Sequence, residues 1–222
     1  MRVIAGSAKG MTLLCPKNLP VRPATDRVKE SVFGVLSGSL EDACVLDLFA
    51  GSGSVGIEAL SRGAARCTFV ENDARCVKVI RENLERTHLA ERAHLMRANA
   101  LRIAAIVDPR DVPFDLVFVD PPYAQSERMD ATSPIGRLLV GIGEGDLLAD
   151  GGLVVVEHAT SSAALGHAGA LILDDQRRYG GTTVSFYEKS RNGDGTRGQP
   201  EDQANSKPET RNSNEDSSLD NE

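Results

Sequence analysis

Two short segments of this 222-residue chain hold residue types whose spacing could do chemistry. The first is Asp120-Pro121-Pro122-Tyr123, which follows the apolar run Leu116–Val119. The Asp120 carboxylate and the Pro121 carbonyl are acceptors without a competing donor, because proline lacks an N–H and stiffens the turn. Pro122 stiffens it further, and Tyr123 offers a flat ring on which a nucleobase can stack, for about 1–3 kcal/mol. Two acceptors and a ring suit an exocyclic base amine. Its lone pair is delocalised into the base, so its hydrogens must be held by acceptors before the nitrogen can pyramidalise and attack. A proline pair can also be only a rigid turn. Position favours chemistry here, because a loop at the carboxyl end of a strand in an open α/β sheet faces the ligand crevice.

The second segment is Asp47-Leu48-Phe49-Ala50-Gly51-Ser52-Gly53-Ser54-Val55-Gly56. Gly51-x-Gly53-x-x-Gly56 matches the dinucleotide fingerprint in form, and Glu71 falls 20 residues after Gly51, where a ribose-binding acid belongs. Asp47 separates the two cofactor classes. A carboxylate ahead of the glycines would repel a pyrophosphate but suits the ammonium of a methionine moiety, so S-adenosylmethionine is expected ahead of a nicotinamide or flavin. The glycines would then let the backbone approach the cofactor, Glu71 would accept from the ribose hydroxyls, and Asn99-Ala100 would meet the adenine edge. Phe49, Ala50 and Asn72 complete the expected set, with Thr25 at a helix start nearby. Plainer readings stand beside these: a tight strand-to-helix turn for the glycines, a solvated strand-end acid for Glu71.

The elements that must position these segments alternate regularly. Apolar runs at Cys44–Phe49, Cys67–Glu71, Ala93–Arg97, Leu116–Asp120 and Leu153–Glu157 are separated by helical patterns near 54–62, 73–87, 99–107 and 134–143. This predicts an α/β fold with a doubly wound, mostly parallel sheet. Leu171–Arg177 and Thr183–Tyr187 flank Tyr179-Gly180-Gly181 and read as an antiparallel pair closing the sheet. At the start, Arg2–Gly6 and Met11–Cys15 read as a hairpin around Ser7-Ala8-Lys9-Gly10. A helix capped by Thr25 or Asp26 follows, with Val28, Val32, Phe33 and Leu36 on one face. Three regions are expected: a hairpin-and-helix module over 1–38, a catalytic domain over 39–189, and a disordered acidic tail over 190–222.

The net charge of −7 is awkward for a nucleic-acid enzyme. Its distribution softens that objection, because residues 191–222 carry −4 while residues 1–31 carry +4. Lys9, Arg22, Arg27 and Lys29 in the basic module could hold phosphate, although a capped helix with a solvated charged face accounts for three of them equally well. No apolar run reaches the roughly 18–20 residues of a membrane helix, and no secretory leader precedes the first strand. A cytoplasmic, membrane-free protein is expected. Cys15, Cys44, Cys67 and Cys76 lack a Cys-x-x-Cys pair, and His88, His94, His158 and His167 share no ligand spacing, so neither a disulfide nor a metal is expected.

With these residues in hand, the chain resembles the RsmD family of bacterial methyltransferases. The residues that carry the likeness span about 1–188: Arg2-Val3-Ile4-Ala5-Gly6, Arg22-Pro23, Thr25-Asp26-Arg27-Val28-Lys29-Glu30, the Asp47–Gly56 loop, Glu58–Ala64, Phe69-Val70-Glu71, Phe114–Tyr123 and Arg178-Tyr179-Gly180. The resemblance implies a Rossmann-like class I methyltransferase fold, with a seven-stranded, mostly parallel sheet whose last strand is antiparallel, plus an N-terminal hairpin that helps hold RNA. It implies methylation of the N2 amine of a guanine in small-subunit (16S) ribosomal RNA, within an assembled or nearly assembled 30S particle; a monomer is expected. Asn99 stands where the family usually has Asp and Ala24 where it usually has Thr, and the acidic tail lies outside the pattern. Two other readings stay open: a DNA adenine or cytosine amino-methyltransferase, and a noncatalytic ribosome-assembly factor that keeps the fold.

Overall fold

The computed structural model describes residues 1–16 and 26–191. Arg22, Ala24 and Thr25 lie outside the described residues, as does the expected tail from residue 192 onward.

A single sheet organises the chain. Five strands, β1 (Cys44–Leu48), β2 (Arg66–Glu71), β3 (Ala93–Arg97), β4 (Phe114–Val119) and β5 (Leu148–Ala159), run parallel, and β6 (His167–Ala168), β7 (Leu171–Tyr179) and β8 (Thr182–Lys189) close it with antiparallel pairings. The order is β3-β2-β1-β4-β5-β8-β7-β6. This is the expected Rossmann-like arrangement with eight strands instead of seven. The additional one, β6, is two residues long, too short to leave an alternation in the sequence. The order reverses between β1 and β4, and ligands of such sheets bind outside the carboxyl ends of the strands at that switch.

The inner parallel strands β1, β2 and β4, and the middle of β5, are near-continuous apolar runs because both faces are covered. Successive residues alternate between two cores. Val45, Phe69, Phe118 and Val155 point to one side, while Leu46, Val70, Val117 and Val154 point to the other. On the first side lie α1 (Asp26–Val35), α2 (Ser54–Ser61) and α3 (Ala74–Thr87); on the second lie α4 (Ile103–Ile106) and α6 (Pro134–Glu144), while α5 (Tyr123–Ser126) is a single turn after β4. α3 shows why such a segment is helical. Asp73 caps it by accepting from Arg75 N–H, and its buried positions Cys76, Val77, Ile80, Asn83, Leu84 and Thr87 follow the three- and four-residue spacing of one helix face.

The N-terminal segment folds back on itself through an antiparallel bridge between Arg2 and Thr12, with Val3 N–H donating to the Met11 carbonyl at 3.0 Å. Val3, Ala8 and Leu13 enter the same core as α1 and α2. Phe33 of α1 lies 5.7 Å from Phe118 of β4, ring centre to ring centre, so α1 packs on the strand that leads into the Asp120 loop.

Candidate active site at the carboxyl end of the sheet

Beyond the ends of β1, β2, β4 and β5 lies a cavity of about 820 Å³. Of the residues singled out from the sequence, Asp47, Phe49, Ala50, Gly51, Glu71, Asn72, Asn99, Ala100, Asp120, Pro121, Pro122 and Tyr123 all line it. Two distant segments therefore meet at one site.

The loop after β1 is built by backbone bonding. Phe49 sits at φ 61 and Gly51 at φ 58, in the left-handed region, where glycine fits freely and a bulky residue is held only by its surroundings. Ala50 N–H donates to the Val70 carbonyl and Gly53 N–H to the Ala50 carbonyl, at 3.1 and 2.7 Å. Glu71 closes the other side. Its Oε2 accepts from Gly51 N–H at 2.9 Å and its Oε1 from Asp73 N–H at 2.7 Å. A carboxylate has about four acceptor positions, so the two remaining can take ligand hydroxyls.

Gly53 does not line the cavity. At φ +77 it begins α2, and a Cβ there would meet Ile80 at 3.2 Å and Ile57 at 3.4 Å. Its smallness serves helix-to-helix packing, not close approach to a ligand. Gly56 is tighter still, with Phe69 at 2.4 Å from where a Cβ would stand.

Asp47 is buried, and its Oδ2 accepts from Gly56 N–H at 3.0 Å. Burial pushes its carboxyl up to about 7, the Gly56 bond opposing and the Glu71 charge adding to the rise. Burial likewise holds the Asp120 carboxyl well above the usual range, reinforced by the charges of Glu157 and then Asp47. Pairing explains the proximity. Val119 of β4 is opposite Val156 of β5, so Asp120 and Glu157 leave adjacent parallel strands side by side. Leu48, Val70 and Val119 share a level, which puts Glu71 in the same row and Asp47 two residues lower. The residues two before each acid (Val45, Phe69, Phe118, Val155) all belong to the α1–α3 side, so the four acids continue one face of the sheet.

Several residues reach the cavity that sequence reasoning did not select: Glu157, His158, Arg75, Arg97 and Thr182. An acid ending the apolar run Leu153–Val156 was a usable sign for Glu157. Burial lowers the pKa of His158, the contact with the Ala159 carbonyl opposing, and its Nε2 lies 2.8 Å from Ser185 Oγ. Asn99 spends its Oδ1 on Leu101 N–H at 3.0 Å as a helix cap, which leaves one lone pair for an adenine amine. Tyr123 is 56% exposed, at the mouth, with the turn held by Ser126 Oγ–H donating to its carbonyl at 3.0 Å.

The basic module divides. Lys9 and Arg27 are exposed. Lys29, expected to reach phosphate, is instead buried: its Nζ donates to the Arg2 carbonyl at 2.8 Å and lies 3.8 Å from Glu58 Oε2. Burial lowers its pKa, with Glu58 opposing. Glu58 also accepts from Ile4 N–H, Ala5 N–H and Arg62 Nε–H, so Lys29 belongs to a network that fastens the hairpin and α1 to α2. Among the described residues no group of three or more acids, histidines or cysteines could hold a metal, and no helix is long and apolar enough to cross a membrane.

Comparison with known proteins agrees with this geometry. The family described as Conserved hypothetical protein 95 matches residues 1–188. The Bacillus subtilis protein YlbH, an rRNA methyltransferase by name, is 36% identical over 189 residues, which is 85% of this chain and 99% of that one. Ribosomal RNA small subunit methyltransferase D of Escherichia coli (strain K12) is 41% identical over 123 residues, covering 55% of this chain and 60% of that one. The solved structure of Escherichia coli yhhF, a methyltransferase by name, superposes with a TM-score of 0.70 at 32% identity, over 86% of this chain and 99% of that one. The match over nearly the whole described chain shows that it belongs to that family, the RsmD methyltransferase family.

Proposed function

We propose that the protein transfers a methyl group from S-adenosylmethionine to the N2 amine of a guanine in small-subunit (16S) ribosomal RNA, in an assembled or nearly assembled 30S particle. The observation that carries the reading is the row of carboxylates, Glu71, Asp47, Asp120 and Glu157, at the ends of four neighbouring strands on one face. Such a row disfavours a pyrophosphate and suits a ligand bearing an ammonium and a sulfonium.

Asp47 would hold the ammonium, Glu71 the ribose hydroxyls, and Asn99 with Ala100 the adenine, while Phe49, Ala50, Gly51 and Asn72 shape the wall. When bound, the cofactor supplies a methyl on a positively charged sulfur, which leaves readily as a thioether. Asp120 and the Pro121 carbonyl accept from the two amine hydrogens, freeing the nitrogen lone pair for attack. After attack the nitrogen carries a surplus proton. Asp120, whose proton affinity burial and the Glu157 charge raise above the usual carboxylate range, takes it and passes it to water. Tyr123 stacks on the base.

Exposed Lys9 and Arg27, together with Arg22, would contact phosphate, and ribosomal proteins would supply docking surface that an acidic enzyme lacks. A monomeric working unit and a cytoplasmic location belong to the same proposal: the lining residues of the cavity come from one chain, and a ribosomal substrate would be met in the cytoplasm. The test is methyl transfer from labelled S-adenosylmethionine to undermodified small subunits, free ribosomal RNA and duplex DNA, with the modified nucleoside identified. N2-methylguanosine from small subunits is expected; label confined to DNA, or to adenine, would overturn the reading.

A further inference from the structure

The second carboxylate beside Asp120 has so far been given no contact of its own with the substrate. Glu157 ends the apolar stretch of β5, lines the main cavity, and follows Val156, which is opposite Val119 in the parallel β4–β5 pairing. Adjacent strands run about 4.8 Å apart. Two acids leaving them at one level, on one face, can therefore accept from two neighbouring donors on one edge of a planar base. Glu157 also lines a small apolar recess beneath α1, shared with Val28, Phe33, Phe118 and Asp120. Its backbone is fixed on the other side by pairing with Val184 of β8. The backbone that carries this carboxylate is thus part of a paired strand and not of a loop.

The three exocyclic base amines differ in the ring atom beside them. Guanine N2 neighbours N1, which carries a hydrogen. Adenine N6 and cytosine N4 neighbour N1 and N3 respectively, which carry lone pairs. We propose that Glu157 is the specificity-determining residue for guanine, accepting from the ring N1–H while Asp120 accepts from the N2 amine. Adenine or cytosine in the same position would turn a lone pair toward a carboxylate, an acceptor facing an acceptor, and would be rejected for that reason as well as for the lost bond. The inference rests on the guanine-N2 reading above and deepens it by naming how one amine is chosen over the others. It also gives the pair of acids separate tasks: Asp120 serves the reacting nitrogen, and Glu157 serves the ring atom that identifies the base.

The test uses Glu157→Gln in the full-length chain, with undermodified small subunits and labelled S-adenosylmethionine, and every methylated nucleoside is quantified. Glutamine matches glutamate in size and can present either its oxygen or its amide hydrogens. It should therefore keep thermal stability and S-adenosylhomocysteine affinity close to wild type. The rate of N2-methylguanosine formation should fall about 10- to 100-fold, the effect of losing one charged hydrogen bond. The ratio of methylated adenosine or cytidine to N2-methylguanosine should rise above the wild-type ratio, because the amide can donate to a ring lone pair. A purely structural role would lower all products together and would not move that ratio. Wild-type rate and wild-type product ratio in Glu157→Gln overturn the inference while leaving the guanine reading intact. Methyladenosine or methylcytidine as the wild-type product overturns both.

Discussion

Asp47→Asn should make the cofactor-free protein more stable and the cofactor-bound protein weaker. In wild type Asp47 is buried, with one backbone N–H as its polar contact among the described bonds, and its carboxyl is raised from 3.8 to about 7. A raised acid binds its proton more tightly in the folded state. The stability it contributes is full below the unfolded value and is lost as pH climbs through about 7. At 1.36 kcal/mol per pH unit, the whole loss is about 4 kcal/mol, of which roughly 2.5 kcal/mol falls between pH 5 and 8. Asparagine keeps an oxygen for Gly56 N–H but never ionises. Urea unfolding followed by circular dichroism, in both proteins at pH 5 and pH 8, gives the difference directly, and subtracting the variant removes the other titrating groups. The gap should open in favour of Asp47→Asn as pH rises. Calorimetry with S-adenosylhomocysteine should show the reverse preference, a loss of about 10- to 100-fold in affinity, as an ammonium loses its charged partner. Parallel pH profiles with unchanged cofactor affinity would refute the claim that this carboxylate is kept for binding at the expense of stability.

Asp120→Asn should retain S-adenosylhomocysteine affinity and lose about 10²- to 10⁴-fold in turnover; labelled transfer to small subunits checks the second and calorimetry the first. Tyr123→Ala should raise the KM for RNA by an amount matching about 1–3 kcal/mol of lost stacking, with cofactor affinity unchanged in the same calorimetric assay. Lys29→Met should destabilise the fold by about 3–5 kcal/mol in urea unfolding, because Glu58 loses a buried partner; a neutral result would mean Arg62 alone balances that carboxylate. Gly56→Ala should lower stability by about 1–3 kcal/mol through overpacking against Phe69 and Cys67, read from the same unfolding curves.

Much of the sheet was legible because its inner strands are buried on both faces and so appear as apolar runs, and because Gly51 and the proline pair mark two strand ends. What was hidden has physical causes. β6 is too short to carry a period. Lys29 reads as a surface cation because lysines rarely bury, yet it shares a helical stripe with Val32, Phe33 and Leu36, and that spacing was the available sign. Gly53 looks like its neighbour Gly51 in sequence, but only the position of α3 makes its missing Cβ a matter of packing against Ile80. Glu157 could be suspected as a strand-end acid. That it stands beside Asp120 depends on the β4–β5 register, which no local pattern encodes.

The network around Glu58 also joins the N-terminal hairpin and the Asp120 loop to one framework. α2 begins at the cofactor-side glycine turn, and within two turns it presents Glu58 and Ser61 to the hairpin. Glu58 accepts from Ile4 and Ala5 N–H; Ser61 Oγ accepts from Ala8 N–H and donates to the Ala5 carbonyl; Gly6 lies so close to the Ser61 carbonyl that a Cβ would stand 1.7 Å from it. Arg62 reaches over Phe33 of α1 at 5.0 Å, and Phe33 packs on Phe118 just before Asp120. A phosphate contact made by the hairpin, as proposed, would thus be transmitted through buried, charge-paired groups to the helix that follows the glycine loop and to the strand that carries Asp120. On that proposal, binding of the RNA and alignment of the reacting amine would depend on one rigid framework, which avoids a misplacement of even an ångström.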